Sequence, residues 1–413
     1  MDRLREKAIL IGIDDGSVDA EHSMDELRLL ADTAGAETLF TAIQQKPSPD
    51  AATFVGIGKL FEIKDVAEAN EADLLIFDGE LTPTQQRNIE NLTGIRTVDR
   101  TTLILDIFAL NAKSGAGKLQ VELAQLNYML PRLGGKGTEM SRLGAGIGTR
   151  GPGESKLESD RRHIRRRIKF IEEELRRTEK NRALIRRSRG KRGVITVAVV
   201  GYTNAGKSTL LNALTDAGVL AQDKLFATLD PTSRALKLPD GRSVMLIDTV
   251  GFISRLPHTL VEAFKSTLEE AAEADLILNV CDASDPHFDE HLRITKEILS
   301  DLGAGTTPEV TVLNKCDRCA DVFMLPFGRH VVRISALQKK GLDELLEEIS
   351  RALPDTVRRV ELLIPYPDGG AAASLRELGR VETEEYTADG IRVTALIDRR
   401  YLSRFEKYYH SEG

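Results

Sequence analysis

Residues 194–215 read VITVAVVGYTNAGKSTLLNALT. Val194 to Val200 is apolar and β-branched, as a buried strand requires. Residues 201–208 satisfy G-x-x-x-x-G-K-[ST], and the TLLNALT that follows has helical composition. In a strand–loop–helix setting this pattern builds a phosphate-binding loop. Glycines at 201 and 206 let the backbone curl so that its N–H groups, with the positive end of a helix behind them, face a phosphate. Lys207 neutralises the β- and γ-phosphates, and the Ser208 hydroxyl is a hard oxygen donor suited to Mg²⁺. Gly201, Tyr202, Thr203, Asn204, Ala205, Gly206, Lys207, Ser208 and Thr209 are therefore expected to line the nucleotide phosphates. The stretch decides the fold class of its surroundings, a P-loop domain of mainly parallel sheet flanked by helices, expected over 193–354.

Reading outward toward the C-terminus, Val244 to Asp248 is a buried strand ending in an acid, followed by Thr249-Val250-Gly251. Asp248 belongs at the Mg²⁺ ion, and Gly251 can bring its N–H to the γ-phosphate because no side chain intervenes. Between the two motifs lies Phe226-Ala-Thr228-Leu-Asp-Pro-Thr232. This is where a switch segment must offer Mg²⁺ a threonine; Thr228 is the choice and Thr232 the reserve, with Phe226 beside the nucleotide. Asn314-Lys315-Cys316-Asp317 follows the apolar strand Val310–Leu313. Guanine presents N1–H and an exocyclic amine as paired donors, which the Asp317 carboxylate can accept and adenine cannot supply. Two charge-assisted bonds of about 1.5–3 kcal/mol each would favour GTP strongly. Lys315 can cover the base, and Ser335-Ala336-Leu337 fits a loop whose backbone meets guanine O6.

The residue after Gly251 is Phe252, which cannot orient an attacking water, so another group must, and unassisted turnover should be slow. Lys207, Asn204 and Gly251 are the expected catalytic residues. Asn204 has two readings, a ligand for K⁺ beside the phosphates or a residue that only shapes the loop. Cys316 and Cys319 form a C-x-x-C, but there is no second pair and one member lies inside the base motif; they are read as incidental.

Toward the N-terminus the character changes twice. Residues 131–153 hold eight glycines among 23 positions, interspersed with Arg132, Lys136, Arg142 and Arg150. From Glu154 to Arg192, 16 Lys and Arg stand against 7 Asp and Glu, although the whole chain carries a formal charge of −7. Ser155 to Glu158 has capping-box spacing, and a helix is expected from there to about Arg187. Its apolar stripe would be Leu157, Ile164, Ile168, Ile171, Leu175 and Leu184. A basic excess of this kind points to RNA, with Arg132, Arg142, Arg150, Arg161 and Arg162 as the expected contacts. Gly190–Gly193 reads as a linker.

The first hundred residues alternate strand-like and helix-like stretches. Strands are expected at 7–13, 37–43 and 73–77, a helix at 23–35 with Ser23 as N-cap, and another from Thr82-Pro83 to Gly94; helices follow at 101–111 and 117–130. Beyond Pro354 the pattern is strand, helix, two strands around Asp389-Gly390, and a helix at 399–409. The 413 residues thus read as an α/β multidomain chain. It comprises an N-terminal α/β domain (1–115), a helical basic hairpin with its glycine-rich loop (116–192), the P-loop GTPase domain (193–354) and a small C-terminal α+β domain (355–413). No run approaches a membrane span, the first residues do not form a signal peptide, and three cysteines make no disulfide framework; a cytoplasmic monomer is expected.

Four further stretches carry a family resemblance: LQVELAQLNYMLPRL (119–133), GPGESKLESDRRHIRRRI (151–168), DKLFATLDPTSR (223–234) and DTVGFISRLPHTLVEAFKSTLEE (248–270). With the nucleotide motifs, they make the chain similar to the HflX family of ribosome-associated GTPases over nearly its whole length. Lys156 stands where that pattern leads one to expect glutamine. The resemblance implies GTP and GDP as ligands, the large ribosomal subunit and its rRNA as partner, and hydrolysis gated by that subunit. It also implies a role in splitting or rescuing stalled ribosomes under stress, with the glycine-rich loop and helix pair reaching the peptidyl-transferase region. The same motifs would serve a subunit-assembly GTPase. A nucleotide-powered RNA-remodelling enzyme is a reading from another class, without helicase motifs to support it.

Overall fold

The structure, a computed structural model, describes residues 5–16, 19–134, 152–191, 194–215, 225–226, 232–255, 271–319, 330–354 and 356–409. The chain divides into two units. Met1–Asn181, Asp223–Asp230 and Arg255–Lys265 form the first, and Arg182–Gln222, Pro231–Ser254 and Ser266–Gly413 the second.

In the first unit, β1 (Glu6–Asp14) is a central strand with Ala8 to Ile11 fully buried. It belongs to a wholly parallel sheet ordered β2-β1-β3-β4, with β2 Ala36–Gln45, β3 Leu74–Phe77 and β4 Arg96–Asp99. Burial on both faces explains the unbroken apolar run. Helices α1 (Ala20–Ala34), α2 (Ile57–Ala69) and α3 (Pro83–Thr93) make the crossovers. Asp19, not Ser23, caps α1, accepting from the N–H groups of Glu21 and His22; Ser23 is buried and donates its hydroxyl to Asp78 at 2.6 Å. Thr82 and Gln85 close a capping box with Pro83 at the first turn, and Gly94 ends α3 in the left-handed region. Sequence reading missed α2, whose N-cap Gly56 offers no side chain and which buries only Leu60, Ile63 and Ala67.

α4 (Arg100–Asn111) begins at the Asp99 cap, and α5 (Gly115–Met129) begins at Ser114. Arg100 is almost fully buried and balanced by two carboxylates, Glu26 and Asp78, the latter at 2.7 Å; Asp78 also receives Arg255 at 3.0 Å. A buried cation needs such partners, since leaving one charge uncompensated is costly.

α6 (Pro152–Lys191) starts three residues before the expected Ser155, with proline where the first helical residue lacks an N–H partner anyway, and it runs through Gly190 and Lys191 instead of yielding to a linker. Ile171 is fully buried and Ile164, Ile168 and Leu175 partly so; Leu184 is 63% exposed, so the expected stripe does not pack at its far end. The Leu157 side chain lies outside the described residues. Arg167 of α6 meets Glu122 of α5 with two hydrogen bonds of 2.6 and 2.8 Å.

The second unit is built on a six-stranded sheet ordered β10-β9-β8-β5-β7-β6. Its strands are β5 Ile195–Gly201, β6 Thr232–Lys237, β7 Ser243–Asp248, β8 Leu276–Asp282, β9 Glu309–Asn314 and β10 Val331–Arg333. All pairings are parallel except β6 with β7. Helices α7 (Lys207–Thr215), α8 (Phe288–Asp301) and α9 (Leu342–Ala352) flank it. The small C-terminal part is an antiparallel sheet β11-β13-β12 (Val357–Ile364, Gly390–Asp398, Gly379–Thr387) covered by α10 (Gly369–Leu378). Its last helix is only Arg399–Leu402, followed by a 3₁₀ turn at Glu406–Tyr408, shorter than the expected 399–409. This part is tied to the β6–β7 turn: Arg380 donates to the Pro239 carbonyl at 3.0 Å and Lys237 to the Arg376 carbonyl at 3.2 Å, while buried Arg242 of the same turn donates to the carbonyls of Pro354, at 2.8 Å, and Ser350 at the end of α9.

Candidate functional site

β5 lies between β7 and β8, so the loop that leaves its carboxyl end emerges at the middle of the sheet. Gly201 (φ 143°) and Gly206 (φ 91°) both hold backbone conformations that disfavour side chains, and a Cβ there would collide with the Val280 carbonyl and the Asn314 amide respectively. Asn204, at the loop's tip, is exposed with φ 59° and makes no side-chain hydrogen bond among the described residues. The loop ends in α7, whose first residue is Lys207. Its ammonium donates to the carbonyls of Gly201 (3.0 Å) and Tyr202 (2.7 Å). Burial brings the Lys207 pKa down to about 8, with Asp248 opposing the fall and Lys315 adding to it. A phosphate would supply a direct counter-charge, which this lysine does not have among the described residues.

Ser208 Oγ donates to Asp248 Oδ2 at 3.0 Å, which sets two hard oxygen ligands side by side at the end of β7. The donor set suits Mg²⁺ and no softer metal. The Thr249 hydroxyl donates to the Val199 carbonyl at 2.8 Å and pins the chain to β5. A Cβ on Gly251 would lie 2.9 Å from Thr203 Cγ2 and 3.0 Å from Lys207 Nζ, so only glycine brings this backbone so near the ammonium. Phe252 turns the other way. It is 1% exposed and packs with Ala198, Val200, Ala271 and Ile277, which takes its ring out of the chemistry.

At the base end, Asn314 is buried and engaged on both sides, its Nδ2 donating to the Ala205 carbonyl (2.9 Å) and its Oδ1 accepting from Ala336 N–H (3.0 Å). Asp317, in the 3₁₀ turn Cys316–Arg318, is exposed and open to a base. Lys315 Nζ is 2.7 Å from Asp282 Oδ2, which fixes its stem beside the base position; sequence reading gave no sign of that aspartate. Ser335 Oγ accepts from Gln338 N–H at 3.1 Å and Leu337 is 73% exposed, so the loop stands open on its outer side. Thr209 lies half-buried in the first turn of α7.

Phe226 belongs to the first unit, where its ring meets Phe108 edge-on (4.7 Å) and its carbonyl accepts from Asn111 at 2.9 Å. Thr228 lies outside the described residues; Thr232 pairs with Asp248 across the β6–β7 ladder, with a buried hydroxyl that has no partner among the described residues. Arg142 and Arg150 also lie outside them. Arg132 stacks over Tyr128 and donates to the carbonyls of Tyr128 (2.9 Å) and Leu81 (2.6 Å), with Asp99 at 3.7 Å, so its guanidinium is engaged within the first unit. Arg162, Arg165 and Arg166 are exposed on α6 and Arg161 half-exposed, and none has an acidic partner among the described residues.

Three family models match the chain in order: GTP-binding GTPase N-terminal over residues 21–109, GTP-binding GTPase Middle Region over 111–189 and 50S ribosome-binding GTPase over 196–315. Among curated relatives, the GTPase HflX of Caldanaerobacter subterraneus is 52% identical, covering 98% of this chain and 94% of its own length. The GTPase HflX of Escherichia coli is 41% identical, covering 93% and 92%. A crystal structure of a GTP-binding protein from Sulfolobus solfataricus in complex with GDP is 27% identical over 84% of this chain and 98% of that one, with a TM-score of 0.43.

Proposed function

The chain belongs to the HflX family of GTPases, and from that footing we propose that it is a cytoplasmic, monomeric GTPase that docks on the large ribosomal subunit through rRNA. It hydrolyses GTP in a cycle gated by that subunit, and so splits or rescues stalled ribosomes. The observation that carries the docking surface is the row of arginines on α6 that have no acidic partner among the described residues, Arg161, Arg162, Arg165 and Arg166. Guanidinium groups without carboxylates are free for phosphates. Arg142 and Arg150 would extend that surface through the glycine-rich loop, whereas Arg132 would brace its root.

At the nucleotide, Ser208 and Asp248 would hold Mg²⁺, with Thr228 joining from the switch segment; the ion would neutralise charge on the β- and γ-phosphates. Lys207 stabilises the same oxygens and Gly251 N–H meets the γ-phosphate. Asn204, its amide uncommitted, would hold K⁺ beside them. Since Phe252 is buried, the free chain turns over slowly, and the subunit supplies what orders the attacking water.

Co-sedimentation with purified large subunits tests this. With a non-hydrolysable GTP analogue the chain should pellet with them, and with GDP it should remain in the supernatant. Equal pelleting with small subunits, or indifference to the nucleotide, would refute it.

A further inference from the structure

Gly251, assigned above to the γ-phosphate, begins a short segment lying along the phosphate loop. Phe252 N–H donates to the Gly201 carbonyl at 3.1 Å and Thr203 N–H donates to the Phe252 carbonyl at 2.6 Å, a parallel bridge between 201–203 and 251–253. One side chain continues it. The Tyr202 hydroxyl accepts from Ser254 N–H at 2.6 Å, two residues beyond the last backbone bond. The ring that carries this hydroxyl is 6% exposed and lies flat on the imidazole of His291 in α8, with centroids 3.8 Å apart and planes 12° apart. His291 is itself buried and sits 3.9 Å from Asp285. A loop residue at a variable motif position thus joins the phosphate loop, the segment after Asp248 and α8.

We propose that Tyr202 is a positioning residue for GTP hydrolysis: through its hydroxyl it holds residues 251–254 so that Gly251 N–H stands ready at the γ-phosphate, and His291 fixes the ring that does so. The benefit is preorganisation, since a donor already in place costs no rearrangement when charge develops on the phosphate. GDP has no γ-phosphate and is insensitive to this hold. GTP and its transition state are sensitive to it.

The test uses basal hydrolysis by the whole free chain, so it is independent of the ribosomal reading. Tyr202→Phe removes only the hydroxyl. The expected result is a loss of about three- to tenfold in kcat, the range for one hydrogen bond. Affinity for a non-hydrolysable GTP analogue should fall relative to GDP, while GDP affinity stays unchanged. His291→Ala should act in the same direction, and His291→Phe, which keeps a flat ring under Tyr202, should restore most of the rate. Equal losses for GDP and the analogue would mark a structural brace. An unchanged rate, or a faster one, in Tyr202→Phe would overturn the proposal, and so would failure of His291→Phe to outperform His291→Ala. Should Tyr202→Phe not fold, the two His291 variants decide the matter alone.

Discussion

Asn314 donates through Nδ2 to the carbonyl of Ala205 at 2.9 Å, and this contact makes the base-reading strand end and the phosphate loop a single rigid piece. Its Oδ1 closes the third side by accepting from Ala336. The asparagine of the base motif is therefore a structural tie, and we propose the neighbouring, exposed Asp317 as the reader.

The two should separate on mutation. Asn314→Ala leaves Ala205 and Ala336 without buried partners and should cost about 2–4 kcal/mol of stability, from two such bonds. Asp317→Asn, at an exposed position, should leave thermal unfolding unchanged and shift preference from guanine to xanthine nucleotides. Differential scanning fluorimetry and nucleotide competition would read both; a xanthine shift without loss of stability in the Asn314 variant would contradict the division.

Proton linkage offers a second check. The Lys207 pKa is lowered from 10.5 to about 8 by burial. The charged form is thus penalised in the folded, nucleotide-free state below about pH 8, and the penalty fades as pH rises toward 10.5. Phosphates restore the charge. Binding of GDP near pH 9 should take up close to one proton, and binding at pH 7 almost none. Calorimetry in two buffers of different ionisation enthalpy measures this, and proton release would reverse the sign we assign.

The α6 arginines should report as phosphate contacts. Replacing Arg161, Arg162, Arg165 and Arg166 together with Ala should weaken subunit binding and make its salt dependence shallower by about 0.7–0.9 per lost contact. Basal hydrolysis should persist. Binding with an unchanged salt slope would remove this face from the interface.

Arg132 should behave differently from them. Its guanidinium satisfies two carbonyls and faces Asp99, which itself caps α4. Arg132→Ala should lower stability by about 1–3 kcal/mol while leaving the salt slope of subunit binding as it was. Thermal unfolding and the same sedimentation series separate the two roles.

What could be read from sequence was local. The phosphate loop, the acid ending β7 and the base motif each consist of a few consecutive residues whose spacing is the chemistry, so Lys207, Ser208, Asp248 and Asp317 needed no fold to be found. Pro83 and Gly94 marked α3 for the same reason. Tyr202 and His291 are 89 positions apart in sequence, and nothing in either neighbourhood announces the stack. The engagement of Arg132 depends on Leu81, 51 residues away, so composition grouped it with the other arginines of the glycine-rich loop and α6. Leu184 kept helical spacing after its packing partners had ended, because periodicity records which face is apolar and not how far a neighbour extends.

The pairing of Asp78 with Arg255 spans 177 residues of chain, and this has a consequence for biosynthesis. A nascent polypeptide emerges from its N-terminus, so the parallel sheet, Arg100 and both of its carboxylates are available long before Arg255 is made. The same holds for Phe108, which waits for Phe226. The N-terminal unit must therefore stay partly unfinished until β5, β6 and β7 of the nucleotide-binding sheet have been translated, and its completion is a late event in vectorial folding. A fragment ending before residue 223 would carry the whole sheet yet lack Phe226 and Arg255, the partners of Phe108 and Asp78. The gene's modular appearance conceals a protein whose first unit matures only after its second has begun to form.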